Sequence, residues 1–116
     1  MIPTSGVRVY LVMGNTDMRK AIDGLSLIVS RVLDQDPFAG HLFAFSNRRR
    51  TMVKILYWDR NGFCLWQKRL ERDRFRWPEN CEGYMVIERR ELQWLLEGLT
   101  ISQRQAHGRL KYRTLA

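Results

Sequence analysis

The sequence predicts an α+β fold: a small antiparallel sheet with a central β-hairpin, packed against two helices and followed by a flexible basic C-terminal tail. Three observations carry this reading. Short runs rich in β-branched and aromatic residues recur along the chain. Two segments repeat apolar residues at helical spacing, Ile22, Leu25, Ile28, Val29, Val32 and then Leu92, Leu95, Leu96, Leu99. Between two strand-like runs stands Asp59-Arg60-Asn61-Gly62, the type of tetrad that closes a hairpin.

Taken in order, Arg8 to Met13 reads as a strand with apolar residues on both faces, hence an interior one. Gly14 breaks it, and Asn15-Thr16-Asp17 supplies polar turn chemistry ahead of the first helix. That helix ends before Asp36-Pro37, because a residue preceding proline is pushed out of helical conformation. His41 to Phe45 is a short aromatic strand, Ser46 to Arg50 a basic turn, and Val53 to Trp58 the next strand. Phe63 to Leu70 completes the hairpin, with Gly62 expected to supply the positive φ and the register left open, since a slip of one residue exchanges the faces. Arg74 to Trp77 is extended up to Pro78, Tyr84 to Ile87 is a brief strand, and the second helix follows directly, stopping near Gly98. The expected core joins Leu11, Ile28, Val32, Phe43, Ile55, Leu56, Leu92, Leu95 and Leu96.

The chain has 116 residues, 45% of them hydrophobic, enough for one core without staples. Residues 1–100 are expected to form a single domain and residues 101–116 a mobile basic tail. No run approaches the roughly 18 apolar residues of a membrane helix, and no export signal opens the chain, so a soluble cytoplasmic protein is expected. Cys64 and Cys81 lack both a disulfide framework and zinc-site spacing.

The net charge of +8 is unevenly placed. Residues 1–47 are balanced, residues 48–76 carry ten basic groups against three acidic ones, residues 77–100 are acidic, and the tail adds four basic groups. Such a concentration suits a polyanion. The hairpin brings the turn Arg48, Arg49, Arg50 to the same sheet end as Lys68 and Arg69, and Lys54 is expected to join them. Beyond lie Arg72, Arg74 and Arg76, whose alternation with Asp73, Phe75 and Trp77 puts the three arginines on one face. These nine residues are the candidate nucleic-acid contacts, set against the plainer reading of a solvated basic face. Trp66 and Trp77, adjacent to the basic surface in sequence, are the candidates for base stacking. Phe43, Phe45, Tyr57 and Phe63 are expected to be core.

Catalytic chemistry finds little support. Asp17, Asp59 and Glu71 are the best carboxylates for a divalent-metal nuclease, but their spacing is not that of a site, and Asp17 and Asp59 have ordinary roles at a helix start and a turn. His41 and His107 form no motif with the cysteines, and no Walker loop, GxGxxG or HExxH occurs. No active site, cofactor or metal is expected.

The strings Thr16-Asp17-Met18-Arg19-Lys20, Asp36-Pro37-Phe38-Ala39-Gly40-His41-Leu42-Phe43 and Lys54-Ile55-Leu56-Tyr57-Trp58-Asp59 together resemble one family. It is the TnpB accessory, or Orf2-like, protein of the IS-sixty-six group of bacterial insertion sequences, unrelated to the RNA-guided nuclease that shares the name TnpB. Gly62-Phe63-Cys64-Leu65-Trp66, Lys68-Arg69-Leu70-Glu71-Arg72 and Arg74-Phe75-Arg76-Trp77-Pro78 extend the resemblance, which covers most of residues 7–99. It implies a non-catalytic accessory protein encoded beside a DDE-type transposase and a second small accessory protein, both of them expected partners. The family brings no catalytic residues to carry over. Three roles follow: a DNA-binding factor using the basic hairpin edge, a module docking on the transposase, and, more weakly, a nuclease.

Overall fold

A computed structural model describes residues 6–79 and 82–101. Along the chain come β1 (Val9–Val12), α1 (Ile22–Leu27) running into a π-helical turn (Ile28–Val32), β2 (Leu42–Ser46), β3 (Met52–Asp59), β4 (Gly62–Arg69), β5 (Tyr84–Ile87) and α2 (Arg89–Leu96). The strands form one sheet in the order β4-β3-β2-β1-β5. The α+β architecture is thus as read from the sequence, with one pairing of a different kind. β1 and β2 are parallel, Tyr10 beside Phe43, while the other three pairings are antiparallel. A parallel pair needs a crossover, and α1 provides it.

Both faces of the sheet are covered, which is why β1 and β2 are buried along their whole length. On one face Tyr10, Val12, Phe43, Phe45 and Leu56 pack with Leu25, Val29 and Leu33 of the α1 region. On the other, Val9, Leu11, Ala44, Val53, Ile55, Met85 and Ile87 pack with Leu92 and Leu95 of α2 and with Phe75 and Trp77 of the extended segment. Side-chain alternation divides each strand between the two cores.

The hairpin register places Asp59 opposite Gly62 and Met52 opposite Arg69, leaving Arg60-Asn61 as a two-residue loop. Its positive φ belongs to Arg60 (58°) and not to Gly62. The hairpin occupies one edge of the sheet, with β4 outermost.

Val32 was expected in the core and is 73% exposed. The cause is the π-helical turn: Leu33 N donates to Ile28 O at 3.0 Å, and the wider turn carries Leu33 onto the buried face in place of Val32. Ile28 and Leu96 are only partly buried, at the margins of the cores. α2 opens on a capping box between Glu88 and Glu91. It closes at Gly98 (φ 88°), where Gly98 N and Leu99 N donate back to Leu95 O and Trp94 O, so the sequence stop signal is the real one. Leu99, the last residue of the expected stripe, is half-exposed past that stop. Ile101, placed by sequence at the start of the tail, is fully buried in the α2-side core, so packing continues at least to it. The rest of the expected tail, 102–116, lies outside the described residues. Among the described residues no helix is long and apolar enough to cross a membrane.

Candidate nucleic-acid interface

Because β1 and β2 are parallel, Val12 and Ser46 finish at the same end of the sheet, where β3 begins and β4 finishes. The β2–β3 turn lies there, pinned by Asn47, whose Oδ1 accepts from Thr51 N and Met52 N at 2.9 and 3.0 Å. Leu70 N donates to Thr51 O at 2.8 Å, and the chain then crosses this end under the α2 face: Phe75 N donates to Arg50 O at 2.7 Å, and Trp77 Nε1 to Val12 O at 2.9 Å. From Arg74 to Trp77 the apolar members point inward and Arg74 and Arg76 outward, as the alternation predicts; Asp73, expected on the inner face, is exposed with φ 67°, so Arg72 is exposed in a bend before the extended segment and not by alternation.

The nine candidate cations divide into three groups. Arg48, Arg49, Arg72, Arg74 and Arg76 are exposed and have no carboxylate partner among the described residues. Arg69 is exposed but paired with Glu71 at 3.1 Å, and half-buried Lys68 gives its Nζ to Leu96 O at 3.0 Å. Lys54 and Arg50 turn inward, against expectation. Lys54 is 8% exposed, its ammonium donating to Met18 O at 2.7 Å and Lys20 O at 2.8 Å. Alternation sends Lys54 to the α1 face, where its charge satisfies the loop before the helix instead of meeting solvent.

Arg50 adopts φ 62°, and its guanidinium donates to Gly14 O at 2.6 Å while lying 5.8 Å from the Trp77 ring centroid. Burial pulls its pKa down and the Glu79 carboxylate pushes it up. No local composition marks an arginine that will take a left-handed conformation, so its inward role had no sequence signal.

Of the two stacking candidates, Trp77 is buried at 6% exposure with its indole N–H committed to Val12, which removes it as a surface for bases. Trp66 is 41% exposed. It lines an open groove of about 530 Å³ between β4 and α2, together with Lys68, Arg90, Leu92 and Leu96.

The three carboxylates weighed for a nuclease do not converge. Asp59 sits at the hairpin loop and Glu71 past the far end of β4, a strand that spans about 24 Å from Gly62 to Arg69 at a rise of 3.4 Å per residue. Asp17 is held by Arg19, whose side-chain hydrogen bonds push its carboxyl well below the usual range, and it precedes the N-cap, Ala21, instead of forming it. No cluster of three His, Cys, Asp or Glu suited to a metal occurs among the described residues.

The structure thus presents a mixed sheet covered on both faces, with exposed arginines gathered at one end. Comparison with known proteins supplies its class: residues 7–106 match the family described as IS66 Orf2 like protein, and the chain belongs to that family. It is therefore a transposition-associated protein of the insertion-sequence type. The uncharacterized protein y4hO of Sinorhizobium fredii is 40% identical over 100 residues, 85% of this chain and 87% of that one. The uncharacterized protein y4jC of the same organism is 31% identical over 97 residues, 84% of this chain and 83% of its own. No solved structure matches.

Proposed function

We propose that this chain is a non-catalytic accessory protein of transposition that holds DNA against the cationic end of its sheet. The observation that carries the reading is the set Arg48, Arg49, Arg72, Arg74 and Arg76, exposed on one end of a rigid scaffold and without carboxylate partners among the described residues. Unpaired like charges repel, and a phosphate backbone relieves that repulsion while releasing condensed counterions. Arg69 joins the set by exchanging Glu71 for phosphate. Trp66, on the α2 face of β4 with Lys68 two residues further along, offers a ring to an unpaired base.

The test is salt-dependent binding of the full chain to unrelated duplexes. Replacing both Arg48 and Arg49 by alanine should weaken all of them nearly equally and reduce the slope of log affinity against log salt by about 1.8, at 0.9 per phosphate. Stability should move by less than about 0.5 kcal/mol. A wild-type affinity that does not change with salt defeats the proposal. Co-purification with the transposase that survives nuclease and high salt would point instead to a protein-docking module.

A further inference from the structure

Arg50 is a cation nearly withdrawn from water, with no anion in hydrogen-bonding contact among the described residues. Its side chain is 12% exposed, and Nη1 is satisfied by Gly14 O at 2.6 Å and, more weakly, Asn47 O at 3.4 Å. Buried Nε has no hydrogen-bond partner among the described residues. Nη2 stands 3.8 Å from Glu79 Oε2, too far for a hydrogen bond, and that glutamate is itself 74% exposed. A buried charge is costly unless a counter-charge with good geometry meets it, and Glu79 meets this one poorly. Glycine would adopt the φ of 62° without penalty, so what arginine brings to the position is its guanidinium.

The surroundings show what would complete the contact. Arg50, Arg74, Phe75, Arg76, Trp77 and Glu79 line an open cleft of about 360 Å³. Three arginines therefore line one small space whose only lining carboxylate among the described residues is solvated and loosely held. Guanidinium forks match the oxygens of a phosphate, which accepts several charge-assisted hydrogen bonds at once.

We propose that this cleft is a phosphate-binding site, with Glu79 as a resident stand-in that an incoming phosphate group displaces. The proposal deepens the DNA-holding reading and rests on it for the source of the phosphate. Arg50 forms the floor, fixed by its bond to Gly14 and by the Trp77 ring, and Arg74 and Arg76 close over the anion. The phosphate comes from nucleic acid, either as an internal phosphodiester or as a strand's terminal phosphate.

The experiment titrates the full chain with inorganic phosphate, and separately with one duplex bearing or lacking 5′-phosphates, following the Arg50 Nε–H and Trp77 indole N–H signals by NMR. Inorganic phosphate should shift both signals. Glu79→Gln should tighten phosphate binding several-fold, and Arg76→Ala should weaken it about tenfold, the worth of one charge-assisted hydrogen bond. Dependence on the 5′-phosphate would assign the site to strand ends, and indifference to it would assign phosphodiesters. If Glu79→Gln leaves phosphate affinity unchanged or weaker, Glu79 is a structural partner and the proposal is overturned. Duplex binding that proceeds with no shift at Arg50 removes the site and leaves the DNA-holding reading intact. Phosphate that shifts Arg50 while no duplex binds does the reverse.

Discussion

The two ends of the sheet solve chain reversal in opposite ways. At the end where β3 and β4 join, two residues close the hairpin, and Phe38, Trp58 and Phe63 pack edge-to-face and tilted with ring centroids 5.0 to 5.2 Å apart. At the other end the turns are long, and order comes from polar groups that reach inward: Asn47 into its own turn, Lys54 to the carbonyls of Met18 and Lys20, Arg50 to Gly14, and Trp77 to Val12. The lesson is that the cationic end is cationic twice over. Inward-facing cations tie the loops down, and outward-facing arginines are displayed by loops so tied.

The largest effect that can break this comparison is removal of an inward anchor. Trp77→Ala should cost about 3–5 kcal/mol in urea unfolding, since a buried indole and its hydrogen bond are lost together. At the opposite end Phe38→Ala, removing an exposed ring from half-buried Trp58 and Phe63, should cost only about 0.5–1.5 kcal/mol. Equal costs would mean that the long-turn end is no more dependent on buried anchors than the tight one.

A smaller effect sharpens the division between the two sets of cations. Lys54→Met keeps the apolar stem but strips two backbone carbonyls of their donor, at about 1–3 kcal/mol. The folded variant should bind DNA as the parent does, because the lost charge never faced solvent. A DNA affinity reduced as far as by Arg48→Ala would place Lys54 among the displayed cations after all.

How much of this was legible in sequence depends on whether the cue was periodic. The alternation from Arg74 to Trp77 places Arg74 and Arg76 outside and buries Trp77, so the cue that displays the two arginines also withdraws that ring from bases; it does not reach Arg72, because Asp73 is exposed with φ 67°. Asp59 to Gly62 marked the hairpin, but register and the residue with positive φ depend on how both strands pack. The parallel pairing of β1 and β2 was available in principle from the long, helix-bearing connection between them. The π-helical turn was not, since Ile28-Val29-Ser30-Arg31-Val32 carries no local mark of a widened turn, and the shift from Val32 to Leu33 follows from it alone. Of the candidate interface, exposure of five arginines followed from turns and alternation. The inward course of Lys54 and Arg50 arises from loop contacts distant in sequence, 34 to 36 residues for the hydrogen bonds to Met18, Lys20 and Gly14.

The smallest expected effect separates the ends by pH. Arginines stay charged throughout the physiological range, so DNA affinity through the cationic end should be flat between pH 5 and 8. The tight end carries His41, just before β2, whose Nδ1 accepts from Arg8 N at 3.0 Å and whose ring lies 5.7 Å from Tyr10. Burial lowers its pKa from the ordinary 6.5, the charge of Arg8 lowers it further, and Asp36 opposes both. Accepting a hydrogen bond at Nδ1 requires that nitrogen to be unprotonated. The folded state thus binds the proton less readily than the unfolded chain, and in the window below 6.5 the unfolded chain holds more protons. Stability contributed by neutral His41 should be fully present above 6.5, decline as the pH falls from 6.5 to the lowered folded value, and level off beneath it. Urea unfolding of the wild type and His41→Gln between pH 5 and 8 would isolate the contribution, the variant lacking that part of the acid-side decline. Superimposable profiles would show that the hydrogen bond to Arg8 is not coupled to folding. A DNA affinity that follows the same pH course would show that the two ends are linked, against the independence the sheet's anchoring implies.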